Sequence, residues 1–80
     1  MAYPKTDAEW ADRTSRYLKG KLKHANLTYD DLAERLKKLG YKKETRASVA
    51  NKLARGTFPA PFLLACLVAI GMEAVRLEDI

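Results

Sequence analysis

The segment from Leu27 to Gly56, LTYDDLAERLKKLGYKKETRASVANKLARG, carries two helix starts and two glycine stops in close succession, and this punctuation constrains the fold more than any other feature of the chain. Thr28 precedes Asp31 by three residues, so the Thr28 hydroxyl can accept from the Asp31 amide while the Asp31 carboxylate accepts from the Thr28 amide. Leu27 and Leu32 occupy the two positions of a hydrophobic staple around that start. Leu32, Ala33, Leu36 and Leu39 then recur at helical spacing until Gly40, a left-handed stop. Thr45 is the N-cap of a second helix, with Val49, Ala50 and Leu53 inward and Gly56 at its end. Two short amphipathic helices cannot cover each other's apolar faces alone, so further helices must complete the core.

The flanking sequence supplies them. Asp7 is the expected N-cap of a first helix, with Glu9 and Asp12 early, where the helix dipole favours negative charge. Its apolar stripe is expected to run through Trp10, Thr14, Tyr17, Leu18, Leu22 and Ala25. Pro61 suits the first position of a last helix whose Phe62, Leu63, Leu64, Cys66, Leu67, Val68 and Ile70 are apolar nearly all round, the mark of a central helix. No strand alternation or internal repeat interrupts this pattern. The expectation is an all-α, compact four- to five-helix bundle forming one domain over residues 1–80, with helices at about 7–25, 28–39, 45–55 and 60–70 and a short turn at about 74–79.

Charge is unevenly distributed along this frame. The net charge is +5, but residues 13–55 carry a net +9, while residues 1–12 and 56–80 carry −2 each. Positive charge concentrated in this way favours a polyanion, because neutralising phosphates releases counterions. Cys66 is the single cysteine, so neither an internal disulfide nor a cysteine-based metal cluster is expected. The opening MAYPKTDAEW has no apolar signal core, and the longest apolar run is too short to span a bilayer. The expected location is the cytoplasm, bacterial cytoplasm or nucleoid, with no membrane association.

LTYDDLA, the helix ending in ARG, and the apolar helix closing in AIG before VRLEDI together resemble the helix-turn-helix domain of the Cro and phage-repressor type. That family commonly shows a Leu-Thr-Gln-Glu-Glu-Leu-Ala start, an Arg-Gly finish to its recognition helix and a late Gly-Val-Ser-Leu-Asp-like segment. The resemblance covers about residues 15–80 and implies a lambda-repressor-like, helix-turn-helix arrangement. KKLGYKKET makes the connection longer than the family's compact turn, Tyr29 stands where a Gln is usual, and Ala47 stands where a polar base reader is common. An extended variant, similar to an uncharacterised family of small bacterial domains, fits equally well.

The resemblance implies a double-stranded-DNA partner and transcriptional regulation, with the helix at 45–55 in the major groove. Under it, Arg46, Ala47, Ser48, Asn51 and Lys52 are the base-reading candidates, by hydrogen bonds to base edges or, for Ala47, contact with a thymine methyl. Thr28, Tyr29, Lys42, Lys43, Thr45 and Arg55 are the phosphate-binding candidates. The alternative is a protein-interaction or dimerisation module, antitoxin-like or part of a larger regulator, using an apolar surface of Phe58, Phe62, Val75, Leu77 and Ile80, with a homodimer as the natural partner.

No enzyme is expected. His24 lies at a helix C-terminus, where the dipole favours it. Cys66 reads as a small hydrophobe, and Asp30, Asp31 and Glu34 read as capping and solvated groups. Trp10 and Tyr17 read as core rather than as a stacking platform. No glycine-rich phosphate loop, metal-spaced pair or nucleophile triad is present, and no metal, cofactor or small-molecule ligand is expected.

Overall fold

Helix starts and stops determine the chain's path in the computed structural model, which describes residues 2–80. Four α-helices and one 3-10 turn follow in order, with no strand among the described residues: α1 (Asp7–His24), α2 (Tyr29–Lys38), α3 (Arg46–Arg55), α4 (Ala60–Ile70) and the turn Leu77–Asp79. Thr28 and Thr45 each close a reciprocal capping box, Thr28 with Asp31 and Thr45 with Ser48. At α1 the cap is Thr6, not Asp7: Thr6 is extended and its hydroxyl accepts from the Glu9 amide at 3.1 Å, so Asp7 becomes the first helical residue. Pro61 sits one position deeper than expected, behind Ala60, with Pro59 as the cap.

Three helices end in the same way. Leu27 N–H donates to Leu22 O at 2.9 Å and Asn26 N–H to Lys23 O at 3.1 Å, a paired closure around a left-handed residue. Tyr41 and Gly40 repeat it on Leu36 and Lys37, and Met72 and Gly71 on Leu67 and Val68. The fourth helix, α3, ends on Gly56 at φ 68°, with a single bond from its N–H to Lys52 O at 2.9 Å. Here glycine is required twice over, since a Cβ would lie 2.3 Å from the carbonyl oxygen of Ala11.

The core is formed where α1 and α2 each pack on both α3 and α4. Leu18, Leu32, Leu36, Val49, Leu53 and Cys66 are fully enclosed, and Phe62, Leu22 and Ala33 nearly so. Each fully buried leucine contributes about 1.5–3 kcal/mol. Two polar ties cross the core: the Ser15 hydroxyl donates to Leu53 O, and Arg35 Nη1 donates to Ala69 O at 2.8 Å near the C-terminal end of α4. A cation at that helix end also meets the negative pole of the helix dipole.

Several expected core positions lie outside. Trp10 is 44% exposed and stacks on Tyr3 with ring centroids 6.4 Å apart, because the stripe of α1 that faces the bundle runs through Ser15, Leu18 and Leu22. Ala25 and Leu39 are exposed as well, both being C-caps where the chain already turns away. α4 is covered on one side only: Leu64 and Val68, four residues apart, are 62% and 60% exposed. Phe62 is buried, and Phe58, Val75 and Ile80 are half-buried, so of the apolar set expected at the surface only Leu77 is exposed, and the other bare large apolar residues of the C-terminal third are Leu64 and Val68. No single helix among the described residues is long and apolar enough to cross a membrane.

Candidate nucleic-acid interface

The buried face of α3 is fixed by Val49 and Leu53, so helical geometry puts Ala47, Asn51, Ala54 and Arg55 toward the other side, with Ala50 at its edge and Arg46 beside them as the first residue of the helix. All of these are exposed except Ala50, which is half-buried. The result is a face of three alanines flanked by a guanidinium at each end and one carboxamide. Small side chains let the helix axis approach a surface closely, and Arg46, Asn51 and Arg55 are the groups long enough to reach past them. Arg46, Ala47, Ala50 and Asn51 meet Tyr29 from the start of α2 around an open cleft of about 530 Å³. Tyr29, Arg46, Ala47 and Asn51 are four of the residues singled out in the sequence, brought to one place.

Ser48 and Lys52 are not part of this face. The Ser48 hydroxyl accepts from the Thr45 amide at 2.8 Å and lies 2.7 Å from Glu44 Oε1, so its hydrogen-bonding capacity is used internally. Lys52 forms an ion pair with the other oxygen of Glu44, and its ammonium lies 4.7 Å above the Phe62 ring. Ser48 thus turns toward Glu44, and Lys52 toward Glu44 and α4, whereas the sequence placed both among the base-reading candidates. Thr45 is likewise occupied by its capping box.

Glu44 is the residue that sequence reasoning missed. It is only 6% exposed, and its burial acts to raise its pKa, but the hydrogen bonds from Lys52 and Ser48 outweigh this and hold the carboxyl below its ordinary range. Its spacing was a readable signal: Glu44, Ser48 and Lys52 follow at four-residue intervals and share one side of the linker and helix. Tyr41 packs edge-on against Phe62 with centroids 6.1 Å apart, as does Phe58 at 5.3 Å. The long connection between α2 and α3 is thus fastened to α4 at Tyr41 and to α3 at Glu44, while Lys42 and Lys43 between them remain exposed.

At the head of α2, Thr28 is exposed and Tyr29 half-buried. The Thr28 amide, donating at 2.9 Å, and then the Thr28 side chain hold the Asp31 carboxyl below its usual range, so this acid is committed to the cap. Cys66 is fully enclosed, and burial together with the nearby Glu44 carboxylate pushes its thiol up to about 12 against the opposing pull of Lys52. A thiol in that state is neither nucleophile nor ligand at neutral pH.

Among known protein families, the one described as "Domain of unknown function (DUF6471)" matches residues 10–75, which span all but the first turn of α1 together with α2, α3 and α4. No curated protein and no solved structure matches the chain.

Proposed function

We propose that this chain, which belongs to the DUF6471 family, binds duplex DNA by laying the outer face of α3 in the major groove, as an extended variant of the Cro and phage-repressor type of domain and a regulator of transcription. The observation that carries the reading is the face of α3 itself: Arg46 and Asn51 stand out from a run of alanines beside Tyr29, within the stretch that carries the net +9 charge. Arg46 suits a guanine edge, Asn51 an adenine edge, and Ala47 a thymine methyl. Lys42 and Lys43 on the linker and Arg55 at the end of α3 supply phosphate contacts that fix register.

Selection of duplexes from a random pool tests this reading. Wild-type protein should recover a shared sequence, Arg46→Ala and Asn51→Ala should each lose preference at one position, and Lys42→Ala should weaken all duplexes alike. Recovery of no duplex at low salt contradicts it.

A second reading is self-association through α4, which has no charged residue and presents Leu64 and Val68 to solvent. Copies of a chain with net charge +5 repel one another least at their C-terminal third, where the net charge is −2. A twofold pair joined there is compatible with reading paired half-sites.

A further inference from the structure

Lys19 and Lys23 are four residues apart on α1 and share one face of it. Both are exposed, and neither has a carboxylate within ion-pair distance among the described residues. They line an open cleft of about 370 Å³ with an apolar floor that includes Leu22, and with Asn26 and Thr28 supplying polar groups. Tyr29 completes the lining, and the same Tyr29 lines the cleft against α3. The two clefts are therefore neighbours that share Tyr29, one edged by lysines and the other by Arg46, Ala47, Ala50 and Asn51 of α3.

Helix polarity does not account for both lysines. The dipole acts over the last turn of a helix, where Lys21, Lys23 and His24 stand, and Lys19 lies before that turn. Lys21 points to different surroundings: its ammonium lies 5.3 Å from the Tyr17 ring, and it borders a separate cleft with His24 and Asp79. The cations of α1 thus divide into two sets, and only Lys19 and Lys23 open toward Tyr29.

We infer that Lys19 and Lys23 bind the phosphodiester backbone of the same duplex whose groove receives α3, so that the contact continues past Tyr29 onto the C-terminal half of α1. This rests on the DNA-binding reading above and extends it to a surface that the sequence did not single out. An ammonium binds phosphate as a point charge without reading bases, so these lysines add affinity and salt dependence but no sequence preference.

The test is the salt dependence of affinity for a mixed-sequence duplex, measured for wild type, for the Lys19→Ala/Lys23→Ala double variant and for Lys21→Ala. Each phosphate neutralised contributes about 0.9 to the slope of log K against log salt, so the double variant should be shallower by about 2. Lys21→Ala should keep the wild-type slope, and the double variant should keep the wild-type ranking of duplexes. A wild-type slope in the double variant, or an equal loss in Lys21→Ala, overturns the inference and leaves the role of α3 standing. Absence of duplex binding by wild type overturns both.

Discussion

The ammonium of Lys52 pairs with the carboxylate of Glu44, which the connection between α2 and α3 holds against it. This ion pair joins the linker to α3 beside Phe62, and it turns what looks in the sequence like a cation on a reading helix into part of the interior scaffold. Lys52→Ala leaves the enclosed carboxylate without its partner. Because the Lys52 side chain is itself 37% exposed, the loss is discounted to about 1–2 kcal/mol, read as a lower midpoint in denaturant. The ranking of duplex sequences should stay as in wild type, whereas a guanine-reading Lys52 would relax one position.

The same pair gives stability a pH dependence. The Glu44 carboxyl titrates lower in the folded chain than its ordinary value of 4.5, so its contribution is fully present above that value and is lost as pH falls through the lowered folded value. Thermal unfolding of Glu44→Gln followed from neutral to acid pH should lack this component and fall less steeply than wild type over that window. Parallel curves for the two proteins would show that Glu44 is not the group responsible.

Gly56 and Gly40 separate steric from conformational cost. Both have positive φ, but a Cβ at Gly56 would meet Ala11 O at 2.3 Å, whereas one at Gly40 meets nothing within 4 Å. Gly40→Ala should cost about 1–2 kcal/mol for the left-handed backbone alone. Gly56→Ala should cost about 3 kcal/mol, since α1 must also move away from the end of α3. Equal losses for the two variants would mean that the approach of Ala11 is not a constraint.

Leu64→Glu and Val68→Glu place charge on the bare side of α4 and remove no core contact, so both should fold as wild type does. If α4 joins two copies, sedimentation at micromolar concentration should show wild type as a dimer and both variants as monomers. A wild-type monomer under those conditions removes the self-association reading.

Alkylation of Cys66 reports on the core. With its thiol enclosed and pushed up to about 12, the folded protein should react with iodoacetamide at pH 8 orders of magnitude more slowly than the unfolded chain. Rapid labelling of folded protein would mean that α4 opens readily.

Much of the fold was legible because local chemistry specified it. The Thr28–Asp31 box and the Thr45 cap lie where hydroxyl and helical phase put them, and Gly56 ends α3 as its sequence implies. Thr6 took the cap from Asp7 because two adjacent residues can both cap, and the Thr-x-x-Glu spacing of Thr6 and Glu9 favours the first of them. Trp10, Leu64 and Val68 look like core by residue type, yet the α1 and α4 faces toward the bundle lie elsewhere, and which side of an apolar helix is covered depends on its neighbours. At the candidate interface, the outward direction of Ala47 and Asn51 follows from helical phase, whereas Arg46 shares the phase of Leu53 and is exposed as the first residue of α3. Ser48 and Lys52 were not legible, because their direction depends on a buried partner, Glu44, that reads on its own as one more linker charge.

The role of α3 is tested most directly by Ala47→Glu, which sets a carboxylate in the middle of its outer face at an exposed helical position. Binding of a labelled mixed-sequence duplex should be measured by fluorescence anisotropy for wild type and variant at about 50 mM salt, with helical content checked by circular dichroism. Wild type should bind, and the variant, equally helical, should bind at least about tenfold more weakly, since a carboxylate facing the groove costs about 1.4 kcal/mol or more. Unchanged affinity in Ala47→Glu, or no binding by wild type at that salt, would contradict docking through α3.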